Sequence, residues 1–186
     1  MWIERNYKET IQKHLKQFPV ILLTGARQVG KTSLLQKELS GFNFCTLEDP
    51  ALANEAEDAP QILLSKYPPP VIIDEVQYAP KLFRHIKVIV DKDKKKGQFA
   101  LTGSQSFQLM QNISESLAGR CGVMTMSGIS GRERKKNKNL LFSTNEVFLR
   151  GSYPALVANK KFDISNWYRS YITTYLGFTE KVREVS

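Results

Sequence analysis

Gly25-Ala26-Arg27-Gln28-Val29-Gly30-Lys31-Thr32 follows directly on the apolar run Val20-Ile21-Leu22-Leu23, and it matches a G-x-x-x-x-G-K-[ST] loop in full. Each part of the spacing answers a need of a phosphate chain. The glycines let the backbone turn tightly enough for its N–H groups to point inward at phosphate oxygens, and the helix that follows offers its positive N-terminal end. Lys31 is the residue that would reach the β- and γ-phosphates of a bound triphosphate, and Thr32 the one that would set its hydroxyl on Mg2+. Gly25 through Ser33 is therefore the expected cradle, with Ala26, Arg27, Gln28 and Val29 between the two glycines. At average residue usage the four specified positions coincide in fewer than about one chain in a hundred of this length. A glycine turn with an idle lysine is the competing reading, and the preceding strand weighs against it.

With 186 residues and 41% hydrophobic content, the chain suffices for one globular domain, which at this size buries roughly 70% of its unfolded surface. A second full domain is not expected. Cys45 and Cys121 stand far apart with no C-x-x-C spacing and only His14 and His85 beside them in composition, so free thiols in a reducing compartment are expected rather than a metal site. The start Met1-Trp2-Ile3-Glu4-Arg5 lacks the basic end and apolar centre of a signal peptide. No apolar run approaches the roughly 18 residues of a membrane span. A cytoplasmic chain with no membrane contact is expected.

The net charge of +9 suggests nucleic acid until it is located. Residues 92 to 96 hold four lysines against one aspartate, and residues 132 to 138 hold five basic residues against Glu133. Two short stretches thus carry seven of the nine charges. Such runs either contact phosphate backbones or serve as solvated loops that keep a sheet edge soluble.

Apolar periodicity alternates between strand and helix along the chain. Ile11, Leu15 and Phe18 suggest a helix over 8 to 18 that ends at Pro19, and Leu34, Leu35 and Leu39 give the stripe behind the loop, closing near Gly41. A second strand is expected at Phe42 to Leu47, one helical stretch at 51 to 66, and a third strand at Val71-Ile72-Ile73, entered through Pro68-Pro69-Pro70. Leu82, Phe83, Ile86 and Val90 mark the next helix. A fourth strand follows at Phe99 to Thr102, then a helix at about 105 to 117 and a weaker fifth strand at Val123 to Met126. Strands separated by helical lengths indicate an α/β fold, a parallel sheet with helices on both faces.

Val71-Ile72-Ile73-Asp74-Glu75 is the second chemical motif. A buried strand ending in two acids concentrates negative charge at the C-terminal rim of the sheet, where open α/β sheets bind ligands. Behind a phosphate-binding loop the first acid, Asp74, is expected to hold the Mg2+ water shell and the second, Glu75, to act as general base toward the attacking water. Acids also end strands and cap helices for purely structural reasons; the loop about 40 residues upstream decides the assignment. At the end of the fourth strand, Thr102 or Ser104 either hydrogen-bonds a γ-phosphate or lytic water, or Ser104 simply caps the next helix. Arg120 either projects into a neighbouring subunit to stabilise transition-state charge or is a plain surface arginine.

GARQVGKTSLL, LEDP, VIIDEVQYAPKLF, ALTGSQSFQLM and SLAGR, in that order, resemble the prokaryotic ATPases of the AAA+ superfamily whose ATPase core precedes a C-terminal domain of unknown function. The resemblance covers about residues 1 to 133, and Phe148 to Leu156 with Trp167 to Leu176 resemble the start of that second domain. It implies a five-stranded sheet of order 5-1-4-3-2, ATP with Mg2+, a catalytic set of Lys31, Glu75, Ser104 (or Thr102) as sensor and Arg120 as finger, and Thr32 and Asp74 on the metal. After Leu176 the familiar acidic stretch is replaced by Gly177-Phe178-Thr179-Glu180-Lys181-Val182-Arg183, so a C-terminally truncated second domain is expected. The resulting division is an ATP-binding domain over 1–131, a basic linker over 132–146 and a partial, mainly helical C-terminal domain over 147–186. Three function classes stay open: an ATP hydrolase, an ATP-dependent interaction module with negligible turnover, and a nucleic-acid adaptor. Expected partners are nucleotide, a second copy of the chain, and a protein at the C-terminal aromatic segment.

Overall fold

The computed structural model describes residues 2–104, 107–137, 140 and 143–176. Contacts divide the chain into two compact units, Arg5–Ser127 and a second formed by Gly128 onward with the residues ahead of Arg5.

In the first unit, β1 (Val20–Gly25), β2 (Asn43–Thr46), β3 (Val71–Asp74), β4 (Phe99–Ser104) and β5 (Cys121–Thr125) form one sheet. Its order is β2-β3-β4-β1-β5, and every neighbouring pair is parallel. This is the P-loop nucleoside-triphosphatase arrangement anticipated above, read from the other edge. Every residue of β1 and β3 is buried, as unbroken apolar runs require when helices cover both faces. The edge strand β5 alternates between covered and exposed positions. Helix α1 (Lys8–Gln17) precedes β1, and α2 (Lys31–Glu38), α3 (Pro50–Asp58), α4 (Pro60–Lys66), α5 (Leu82–Asp93) and α6 (Phe107–Leu117) connect the strands. Leu22, Ile73, Leu101, Phe83, Phe99 and Leu63 are among the fully buried residues of the core.

Two local expectations are corrected. The helical stretch at 51 to 66 is two helices, broken at Ala59-Pro60, because Pro60 has no N–H to donate and its ring excludes the preceding turn. The fifth strand begins at Cys121 rather than Val123. Gly122 hid the start: a Cβ there would stand 2.6 Å from both His14 Cδ2 and Phe18 Cδ2, so glycine is what lets α1 lie close against the strand.

The second unit contains α7 (Gly131–Lys135), α8 (Thr144–Arg150), α9 (Pro154–Ala158) and α10 (Ile164–Tyr171), followed by one π-helical turn at Ile172–Leu176. The basic stretch expected as an open linker is therefore helical at its start. Ser130 caps α7, accepting from the Glu133 N–H while the Glu133 carboxylate accepts from the Ser130 N–H. That reciprocal pair satisfies two otherwise orphaned donors, and both Glu133 and Arg134 are buried. Lys138 and Asn139 lie outside the described residues. Ile3, Ile129, Leu140 and Val157 make a small core. Tyr153, Trp167 and Tyr171 cluster with centroids 4.8 to 5.1 Å apart, Trp167 stacked on Tyr171 and Tyr153 tilted against both, while Phe148 and Leu149 of the expected partner-binding segment are exposed.

Both cysteines are free thiols, and burial pushes Cys45 up to about 11 and Cys121 up to about 12. Since the thiolate is the reactive form, iodoacetamide at pH 8 should modify neither in the folded chain and both after denaturation. Rapid native labelling of either would contradict this burial. Among the described residues no helix is long and apolar enough to cross a membrane.

Candidate nucleotide site

The parallel sheet brings the C-terminal ends of β1, β3 and β4 to one rim. Gly25 leaves β1 at φ +147°, and a Cβ there would meet the Met126 carbonyl oxygen at 2.2 Å. Gly30 stands at φ +93° at the start of α2, and Gln28 adopts a left-handed conformation at φ 61° without being glycine. Positive φ is costly for residues with a Cβ, so the motif's two glycines are demanded by backbone geometry. Lys31 opens α2 and is buried. Its ammonium folds back over the loop, donating to the carbonyls of Gly25 at 3.1 Å and Ala26 at 2.9 Å.

Burial lowers the Lys31 pKa from its ordinary 10.5; nearby Glu75 and Asp74 oppose the shift and Arg27 adds to it. The folded chain thus releases this proton before the unfolded chain does. The Lys31 contribution to stability rises with pH between the lowered folded value and the ordinary one, and its positive charge is lost over the same interval.

Asp74, at the end of β3, accepts from the Thr32 hydroxyl at 2.7 Å, from Thr46 at 3.4 Å and from Thr102. The two sequence motifs, 42 residues apart, therefore meet at the loop mouth. A hydroxyl and a buried carboxylate side by side are hard oxygen donors of the kind that hold Mg2+, which keeps most of its own waters and asks for few protein ligands. The residues present fit that ion.

Glu75 turns the chain out of β3 through a left-handed conformation at φ 52° and ψ 47°. Its N–H donates to Thr102 Oγ1 at 3.3 Å, and its carboxylate accepts from Gln77 Nε2. A non-glycine residue held there marks stored backbone strain of the sort that collects at functional sites. Of the two candidate sensor residues, Thr102 is tied to both acids. Ser104 pairs in register with Gly25, and its buried hydroxyl meets no partner among the described residues. The helix-capping bond considered for Ser104 from the sequence falls on residues 105 and 106, outside the described residues.

Arg120 is not brought to this rim. Its carbonyl accepts from the Val20 N–H at the beginning of β1, and the five steps of strand from there to Gly25, rising about 3.3 Å each, put it roughly 17 Å from the loop. Its guanidinium forms a two-toothed ion pair with Asp91, which holds the Asp91 carboxyl below its usual range.

Three site residues escaped the sequence reading. Thr46 and Gln77 contact the two acids as described above, and Arg5 donates to the Val29 carbonyl inside the loop at 2.8 Å. Thr46 reaches the site through the strand register Thr46↔Asp74.

A family model described as an AAA domain matches residues 17–135. The chain belongs to that family. Uncharacterised proteins of Mycobacterium bovis and Mycobacterium tuberculosis are each 35% identical to this AAA domain protein over 180 residues, 95% of this chain and 40% of theirs. The chain thus spans well under half the length of these curated relatives. Among solved structures, a Walker-type ATPase of Pyrococcus abyssi superposes with a TM-score of 0.62 at 19% identity, over 100% of this chain and 77% of its own. It shares the fold. Family and fold together make Arg5–Ser127 a nucleotide-binding P-loop domain of the AAA type.

Proposed function

We propose that this AAA domain binds ATP with Mg2+ at the loop and hydrolyses its terminal phosphate. The observation that carries the proposal is the 2.7 Å hydrogen bond from Thr32 to Asp74, which joins the loop to the acidic strand end and leaves Glu75 adjacent. Mg2+, when bound, draws off charge developing on the β- and γ-phosphate oxygens. Thr32 and Asp74 would hold it. Lys31 exchanges the Gly25 and Ala26 carbonyls for phosphate oxygens. Glu75 accepts the proton of the attacking water, and the Ser104 hydroxyl hydrogen-bonds the terminal phosphate. Phosphate release from ATP should therefore fall to background in excess EDTA and return when Mg2+ is restored; release that persists without divalent metal would contradict the proposal.

Because Arg120 cannot reach its own chain's loop, any role in hydrolysis is toward a second copy, after leaving Asp91. Turnover per chain should then rise with protein concentration, and Arg120→Ala should flatten the rise. Turnover independent of concentration in both chains would leave Arg120 as the ion-pair partner of Asp91. Cytoplasmic placement and contacts of Lys92 to Lys96 with nucleic acid belong to the same reading as secondary expectations.

A further inference from the structure

Arg5 lies outside every recognised motif, yet its guanidinium is buried against the phosphate-binding loop. We propose that Arg5 is a positioning residue of the nucleotide site: it fixes the Val29–Gly30 peptide so that the Gly30 N–H faces the phosphates. The proposal rests on the reading of the loop as an ATP cradle. Nη1 donates to the Val29 carbonyl at 2.8 Å and Nη2 to the Ser127 carbonyl at 2.7 Å. The same Nη1 stands 3.9 Å from the point a Gly30 Cβ would occupy, so the cation lies directly against this peptide.

In a planar trans peptide the carbonyl and the following N–H point in opposite directions. Holding the Val29 oxygen on Arg5 therefore turns the Gly30 N–H to the far side, among the donors that a helix start leaves without intrahelical partners. A hydrogen bond from a cation to the carbonyl also polarises the peptide and strengthens its N–H as a donor.

The anchor is itself held in place. The Tyr7 hydroxyl accepts from the Ser127 N–H at 3.1 Å and donates to the Thr125 carbonyl at 3.3 Å. The Arg5 guanidinium carbon sits 5.7 Å from the Tyr7 ring centroid, within reach of the ring's negative face. The peptide groups on both sides of Ser127 are thus secured by two residues that precede α1, and the fork of a guanidinium spans two carbonyls that a lysine ammonium, a single point charge, would not hold in the same plane.

The test compares the whole chain with Arg5→Ala and Arg5→Lys at a temperature where each is folded. Arg5→Ala is expected to weaken ATP binding by about tenfold or more, and Arg5→Lys to recover only part of that loss. Free guanidinium, far below denaturing concentration, should restore binding to Arg5→Ala, whereas sodium chloride at equal ionic strength should not. In the nucleotide-free chain the Gly30 amide proton should shift upfield in both variants. Unchanged affinity, or weakened affinity with an unmoved Gly30 resonance and no guanidinium rescue, would overturn the proposal. Should Arg5→Ala not fold, Arg5→Lys supplies both the affinity and the resonance. A wild-type chain that binds no ATP would overturn the reading of the loop instead, and the Gly30 resonance in that same chain would still report whether Arg5 sets the peptide.

Discussion

Replacing Lys31 by Ala is expected to lower ATP affinity by about a hundredfold or more, since the ammonium proposed to reach the terminal phosphates would make charge-assisted bonds there in a partly dry site. The fold should survive the change. Lys31 is held against two loop carbonyls at the expense of its hydration, and burial works against its charged form. The truncation removes a costly buried cation together with two hydrogen bonds, so the melting temperature should move little. Titration of ATP into the folded variant, with circular dichroism to confirm the fold, checks this. Wild-type affinity in a folded Lys31→Ala chain would remove the loop from nucleotide binding.

Glu75→Gln is expected to keep ATP bound while lowering turnover by about 10² to 10⁴, the range contributed by a positioned general base. The amide retains an oxygen that can accept from Gln77 Nε2, as the carboxylate does now, and the Glu75 N–H still reaches Thr102. Geometry is preserved while proton acceptance is lost. Single-turnover measurement at saturating ATP separates the two effects, because binding and chemistry are then read apart. An unchanged single-turnover rate would take Glu75 out of the chemistry, and the water would need another acceptor.

Much of this arrangement was legible from the sequence because the decisive elements are local. The loop spells out its own positive-φ positions in Gly25 and Gly30, and Val71-Ile72-Ile73 followed by two acids marks both a buried strand and the rim where it ends. The alternation of apolar runs with helical stripes then marks a parallel sheet covered on both faces, while its strand order was implied only by the family resemblance. Arg5 was illegible for a physical reason. Its guanidinium bonds to main-chain carbonyls at Val29 and Ser127, and since every residue has a carbonyl, such a contact leaves no pattern in residue types. Gln77 depends on the left-handed turn at Glu75, a conformation that the identity of glutamate does not announce. The start of α7 was different. Ser130 and Glu133 form a capping box whose spacing was present in the sequence, but the surrounding charges at Arg132, Arg134, Lys135 and Lys136 outweighed it and suggested an open linker.

The loop at Gly25 to Ser33 is the proposed ATP site. Calorimetric titration of ATP with Mg2+ into the whole chain tests it most directly. Saturable binding at one site per chain, competed by ADP and lost in Lys31→Ala, is the expected result. A folded chain that shows no saturable binding up to millimolar ATP, the upper end of ordinary substrate affinities, would contradict it.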